Sequence, residues 1–337
     1  MFALGFWVST LPKDGFIAAC DELAGMGVTK VLAFSEEYDR EAIAQLTDAC
    51  HSRGMELHAW SMNNMVSFRG VPREFIEAHR SWLAVNRNGQ TGLEFPLWGR
   101  QIWWCPGNRE HLDYYIDRWN GLLTDTGADG LHLDFIRYPD IWDYQDGRAI
   151  ERAEVPEYSF CYCHECRDRF REETGTDPVD VPLDARDALY QEWRRWRMDV
   201  IVKTVLAVRA GIDRRLKLSA AVFPTPGISR TVVLQDWPAF ADRLDFVCTM
   251  IYAQKQWGRP ISWVKEATEE GCREMSARSA YYSGFGYPIR DQTTSDLRAG
   301  LLAARDGGAE GAVIFNYPGP NERQRTVIAE AFREIAR

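Results

Sequence analysis

Ala128-Asp-Gly-Leu-His-Leu-Asp-Phe-Ile-Arg-Tyr-Pro139 is the stretch whose reading decides the fold. Asp129-Gly130 is a turn pair, and Leu131 to Ile136 reads as a short strand. Alternation puts His132, Asp134 and Ile136 on one face and Leu131, Leu133 and Phe135 on the other. The second face is wholly apolar and suits packing under a helix. The first carries a histidine and a carboxylate, which a strand interior accepts only at a cost unless they are bonded. Arg137, Tyr138 and Pro139 end the strand. An Asp where a buried parallel strand emerges is where a barrel enzyme keeps its chemistry. The competing reading is a structural ion pair between Asp134 and Arg137.

Outward from this strand, the same period changes recur. Strand-like runs are expected at Phe2 to Thr10, Val28 to Phe34, Met55 to Met62, Lys217 to Phe223, Asp245 to Tyr252, Ala280 to Phe285 and Ala312 to Asn316. Helical spacing follows each: Asp14 to Met26, Glu41 to Ser52, Glu110 to Thr124, Ala185 to Ala210, Val232 to Asp242 (interrupted near Pro238), Ile261 to Cys272, Ser295 to Arg305 and Glu322 to Ile335. Asp14 is expected to cap the first helix. Eight alternating units imply a parallel sheet with crossover helices, and eight favour closure into a single (β/α)8 (TIM) barrel over residues 1–337. No Gly-x-Gly-x-x-Gly follows the first strand, which removes the argument for a dinucleotide fold. A bare barrel takes about 250 residues. The surplus falls at about 65–108 and 140–184, after strands three and four, on the face where function sits.

Composition narrows the partners. A net charge of −9 without a basic tract argues against nucleic acid. No apolar run reaches the roughly 20 residues of a membrane span, and the strand-like run from Phe2 leaves no room for a signal peptide. A soluble cytoplasmic protein is expected. The oligomeric state stays open, a homo-oligomer included.

The second long loop contains Phe160-Cys-Tyr-Cys-His-Glu-Cys166. Three thiols this close read as metal ligands rather than disulfides in a reducing compartment, the alternative being three reduced thiols without a metal. A tetrahedral structural zinc needs a fourth ligand beside Cys161, Cys163 and Cys166. His164 is one candidate, inside the cluster; Cys105, in the neighbouring loop, is sterically easier. Cys20, Cys50, Cys248 and Cys272 fall in helix or strand patterns and read as ordinary buried thiols.

The order of Cys105, an acid ending strand four, then Cys161, Cys163 and Cys166 resembles the zinc loop of family 42 β-galactosidases, where four such cysteines bind a structural zinc. The likeness ends at strand four: the Asn-Glu pair of that family is Leu133-Asp134 here, and no Glu occurs in Ala280 to Tyr287. A broader resemblance runs along the chain. Asp129-Gly-Leu-His-Leu-Asp-Phe-Ile-Arg-Tyr-Pro139, Gln235-Asp-Trp237 and Met250-Ile-Tyr252 are similar to the bacterial glycosyl-hydrolase-like family 10 barrels. That resemblance implies a (β/α)8 fold, cleavage of glycosidic bonds and a catalytic role for Asp134. The Asn-Pro usual before helix three is Cys105-Pro106 here, which fits a zinc-bearing subgroup.

Glycoside hydrolysis needs two carboxylates. With Asp134 as the first, Asp236 and then Glu36 are the expected partners, with Glu37 and Asp140 also near the strand ends. Asp236 reads equally as a helix cap and Glu36 as an ion-pair partner of Arg40. Arg137 is expected to keep Asp134 ionised, and His132 to lie one layer below. Sugar rings stack on aromatic faces, and Trp98, Trp103, Trp104, Trp142, Tyr144 and Trp257 fall in the top-face loops. His58, Trp60, His132, Arg137, Tyr138, Tyr252 and Asn316, with Tyr287 and Tyr317, complete the expected carbohydrate cleft; His58 reads equally as a bonded core histidine. Trp193 and Trp196, three apart on a helix, read as core. A non-catalytic carbohydrate-binding barrel and a zinc-dependent hydrolase or deacetylase are the alternatives; an all-thiolate zinc is closed to water, which weighs against the last.

Overall fold

The computed structural model describes residues 2–9, 11–66, 71–95, 97, 101–139, 142–143, 148–149, 155–275 and 278–335. Eight strands form one closed parallel barrel: β1 (Ala3–Val8), β2 (Lys30–Phe34), β3 (Glu56–Met62), β4 (Gly130–Asp134), β5 (Lys217–Val222), β6 (Phe246–Met250), β7 (Ala280–Phe285) and β8 (Gly311–Tyr317), the last pairing back to β1. Eight helices alternate with them: α1 (Phe16–Gly25), α2 (Arg40–His51), α3 (Arg109–Thr126), α4 (Ala188–Gly211), α5 (Pro226–Val232), α6 (Trp263–Glu274), α7 (Thr294–Asp306) and α8 (Glu322–Ile335). No helix among the described residues is long and apolar enough to cross a membrane.

Three local expectations change. Helix α1 is entered through a 3-10 turn, Lys13–Gly15, without a side-chain cap, so Asp14 does not cap it. The fifth helix lies earlier than 232–242: Thr225 caps it by accepting from the Ile228 N–H, and Pro226 takes its first turn. Residues 237–243 form two 3-10 turns instead, because Pro238 cannot sit inside a helix. Strand β4 ends at Asp134, not Ile136, because Phe135 steps into the left-handed region (φ 53°).

The barrel interior is layered. At its lower end Glu56 binds Lys30 (2.6 Å) and Lys217 (2.5 Å). Above them Trp7 donates through Nε1 to His132 Nε2 (3.0 Å), and His132 Nδ1 meets Ser219 Oγ (2.8 Å). With Nε2 accepting, the neutral ring carries its proton on Nδ1. Two close approaches require glycine. A Cβ on Gly130 would meet the Lys217 carbonyl at 2.4 Å, and one on Gly284 would meet the Trp7 ring at 2.6 Å.

Burial pushes His58 and His132 below their ordinary range. In the unfolded chain each takes up a proton near pH 6.5, whereas the folded rings stay neutral to lower pH. The unfolded state therefore binds more protons as pH falls below about 6.5, and stability declines through that window while staying level above it. Urea unfolding midpoints should fall between pH 7.5 and 5.5, with a shallower slope in His132→Gln. Equal midpoints at the two pH values would contradict this.

Candidate active site and metal centre

Asp134 closes β4 at the C-terminal mouth of the barrel. Its register partner is Met62, and the Asn63 N–H donates to its carbonyl at 2.6 Å. The side chain is held twice: the Phe135 N–H donates to Oδ1 (2.7 Å) and Trp60 Nε1 to Oδ2 (3.0 Å). A bulky residue at positive φ is costly, and here that residue supplies the N–H that fixes the carboxylate. Asp134 keeps 5% of its surface exposed.

Beside it the strand ends build an aromatic wall. Phe315 lies 6.0 Å from Trp60, 5.8 Å from Tyr252 and 5.4 Å from Tyr287, ring centre to ring centre. Tyr252 and Tyr287 are 5.1 Å apart, and Tyr287 is 40% exposed. Burial and the charge of Asp134 push the Tyr252 hydroxyl well up, so it remains a donor. Asn316 stays half-buried at the end of β8, bonded to Ser9 Oγ. Phe315 is the member of this wall that sequence reading missed; its place on the inward face of β8 was the available signal.

Several expected site residues are placed elsewhere. His58 and His132 are fully buried below the mouth, so neither can line it. Trp103 and Trp104 are loop core: Trp104 packs on Trp82 and His111, and Trp103 lies 5.6 Å from Phe135. Arg137 is buried, its guanidinium stacked over Phe135 (4.6 Å), Phe223 (5.0 Å) and Trp103 (5.1 Å). Tyr138 is buried beside the cysteines, and Tyr317 turns outward to Glu22 (2.7 Å). Trp257 packs half-buried against Phe223 and Trp263, whereas Trp193 and Trp196 are stacked core as expected. Trp98, Asp140, Tyr144 and the side chains of Glu37 and Trp142 lie outside the described residues.

The two partner acids are both engaged. Asp236 Oδ1 takes Arg230 Nε at 2.8 Å, and Arg230 continues to Glu274 at 2.8 Å in the helix layer. It follows α5 rather than capping it. Glu36, half-exposed just past β2, accepts from the Ser61 hydroxyl. Ser61 alternates away from Trp60 and also takes Trp119 Nε1 (2.9 Å), so this contact is on the helix-facing side of β3.

The two long loops meet at four buried cysteines. The sulfurs of Cys105, Cys161, Cys163 and Cys166 all lie within 4.8 Å of one another, with Cys105 3.4 Å from Cys166 and 3.6 Å from Cys163. Four sulfurs about 2.3 Å from a tetrahedral zinc stand about 3.8 Å apart, so the spacing fits such an ion. Backbone N–H groups already point at them, Gly107 to Cys105 (3.3 Å) and Val85 to Cys161 (3.4 Å). Hydrogen bonds from the other three pull the Cys163 thiol down. His164 points into solvent and pairs with Asp168 (2.7 Å), which leaves Cys105 as the fourth member. Among the others, Cys20 and Cys50 are buried 3.8 Å apart, Cys248 is buried and Cys272 is half-buried.

Comparisons with known proteins agree with this architecture. A family model described as glycosyl hydrolase-like 10 matches residues 28–285. The glycoside hydrolase domain of PgaB (BpsB) from Bordetella bronchiseptica superposes with a TM-score of 0.69 at 15% identity, covering 99% of both chains. A family 42 β-galactosidase from G. stearothermophilus gives 0.68 at 11%, over 99% of this chain and 56% of that one. An α-L-fucosidase from Paenibacillus thiaminolyticus gives 0.61 at 12%, over 100% of this chain and 49% of that one. No curated protein matches the sequence.

Proposed function

The chain belongs to the glycosyl hydrolase-like 10 family, and from that premise we propose that it cleaves glycosidic bonds in an oligo- or polysaccharide, with Asp134 as the catalytic carboxylate. The observation that carries this reading is the twice-held Asp134 at the barrel mouth, beside the Trp60, Tyr252, Tyr287 and Phe315 wall. A sugar face stacked on Tyr287 brings its ring bonds toward Asp134. Both carboxylate oxygens accept hydrogen bonds, and in this proposal the group acts as an ionised carboxylate. That suits it to stabilise an oxocarbenium-like transition state, as nucleophile or as base. Glu36 is the partner we assign, on the rim of β2 across β3; Asp236 is withdrawn by Arg230. The four cysteines would hold a structural zinc that pins the two long loops beside the mouth. Four thiolates leave the ion no open position, so the chemistry stays with the carboxylates.

A carbohydrate-binding barrel that does not hydrolyse is the second reading. One observation favours it: Glu36 and Asp236 each contact partners on the helix-facing side. A panel of glycosides and polysaccharides, assayed for new reducing ends, separates the two. Cleavage of at least one glycan is expected; tight binding of a glycan that is never cleaved would favour the second reading.

Trp60 should matter through its hydrogen bond to Asp134. Trp60→Phe keeps a ring but removes the donor, and a hydrogen bond to a charged group contributes about 1.5–3 kcal/mol. A roughly ten- to hundredfold fall in kcat is expected with little change in KM. An unchanged kcat would show that the contact does not position the carboxylate.

A further inference from the structure

Arg197 is a buried cation, 1% exposed, on the face of α4 that carries Trp193, Val200 and Thr204. Its Nη1 donates to the Phe160 carbonyl and its Nε to the Trp193 carbonyl (3.4 Å), and its guanidinium lies 4.9 Å from the Trp193 ring. Nη2 has no partner, and no carboxylate among the described residues pairs with it. A buried cation without a counter-charge is costly by several kcal/mol.

The same helix face runs along the cysteine cluster. Phe160 immediately precedes Cys161. One turn beyond Arg197, Val200 flanks Gly107, whose own Cβ position is 3.3 Å from Cys166 Sγ. Thr204 Oγ1 donates to the Pro106 carbonyl (2.8 Å), next to Cys105.

We propose that Arg197 is the counter-charge of a metal–tetrathiolate centre. Four thiolates around a divalent ion leave a net double negative charge in a buried site. A guanidinium beside it offsets part of that charge, as outer-shell groups do at metal sites. The proposal rests on the zinc reading above, and its test keeps the two apart. Zinc-loaded protein is mixed with excess chromophoric chelator, and metal content and release rate are read for wild type, Arg197→Met and Arg197→Lys. Cys163 edges a surface groove of about 510 Å³, which gives the chelator a way in.

Wild type should carry one zinc and release it slowly. Arg197→Met should release it about 10- to 100-fold faster, and Arg197→Lys should stay near wild type. Wild type without zinc defeats the zinc reading itself. Zinc-bearing wild type with an unaltered rate in Arg197→Met overturns the counter-charge, as does Arg197→Lys failing as badly as Met. If Arg197→Met does not fold, Arg197→Gln, which retains a donor for the Phe160 carbonyl, must release zinc as fast or the proposal falls.

Discussion

Asp134→Asn is expected to lower glycan hydrolysis by about 10³-fold or more while leaving the fold intact, a loss of about 4 kcal/mol of transition-state stabilisation. The amide preserves shape, and its oxygen can still accept one of the two hydrogen bonds that hold the group, from Trp60 Nε1 and the Phe135 N–H. What it cannot supply is negative charge where an oxocarbenium-like transition state develops positive charge. Asp134 itself is nearly covered, so water screens that charge poorly. The loss should fall on kcat more than on KM, because the charge matters most once the bond is breaking. The comparison is sound only if circular dichroism and thermal unfolding of the variant match wild type. A variant that keeps more than about a tenth of wild-type kcat, a loss of only about 1.4 kcal/mol, would remove Asp134 from the chemistry.

The second large effect concerns the cysteines. If the four cysteines hold zinc as proposed, chelating it, or replacing Cys166 with Ser, should loosen the two loops and spare the barrel. The loops share a few bridges of their own: Asn86 pairs with Phe160, and the Tyr162 N–H donates to the Val85 carbonyl at 2.8 Å. Four isolated sulfurs add little to that join, whereas a bound zinc ties Cys105 to Cys161, Cys163 and Cys166 with energy that folding itself draws on. The barrel strands bury many apolar residues of their own, from Phe6 and Trp7 to Ile314, in a core that continues into the loops. Amide exchange should therefore speed by at least ~10-fold around residues 83–87, 101–108 and 160–175 while strands β1 to β8 keep their protection. Activity should fall with loop order, because Trp103 beneath Phe135 transmits the loop's position to the Asp134 turn. Uniform loss of protection across the barrel would mean that the cysteines support the core instead.

The barrel was legible because its signal is periodic. Alternation at 131–134 and the helical stripes of α2, α3 and α7 each follow from which face must be buried. The fifth helix was misplaced because an apolar period near 232–242 read as a helix interrupted at Pro238, while the Thr225-Pro226 start went unread. The four-cysteine cluster was legible from spacing plus the adjacency of two loops. Side-chain pairings were not. Nothing in the sequence separates Asp236 beside Arg230 from Asp236 in the mouth, since the choice depends on where two turns end. Trp103 and Trp104 read as sugar platforms for the same reason: composition counts aromatic rings without saying which are covered. Arg197 carried a usable signal, a charge inside the apolar stripe of Trp193, Val200 and Ile201, four residues after Trp193.

Hydrolysis in ¹⁸O-labelled water, followed by mass spectrometry, tests the central claim most directly. A glycosidase places one heavy oxygen at the new anomeric carbon, whereas a deacetylase places it in released acetate and a binding barrel places it nowhere. Wild type should label the reducing end of its glycan, and Asp134→Asn of equal stability and zinc content should not label it above background. Label in acetate, no label with any glycan that binds, or equal label from Asp134→Asn would contradict the assignment.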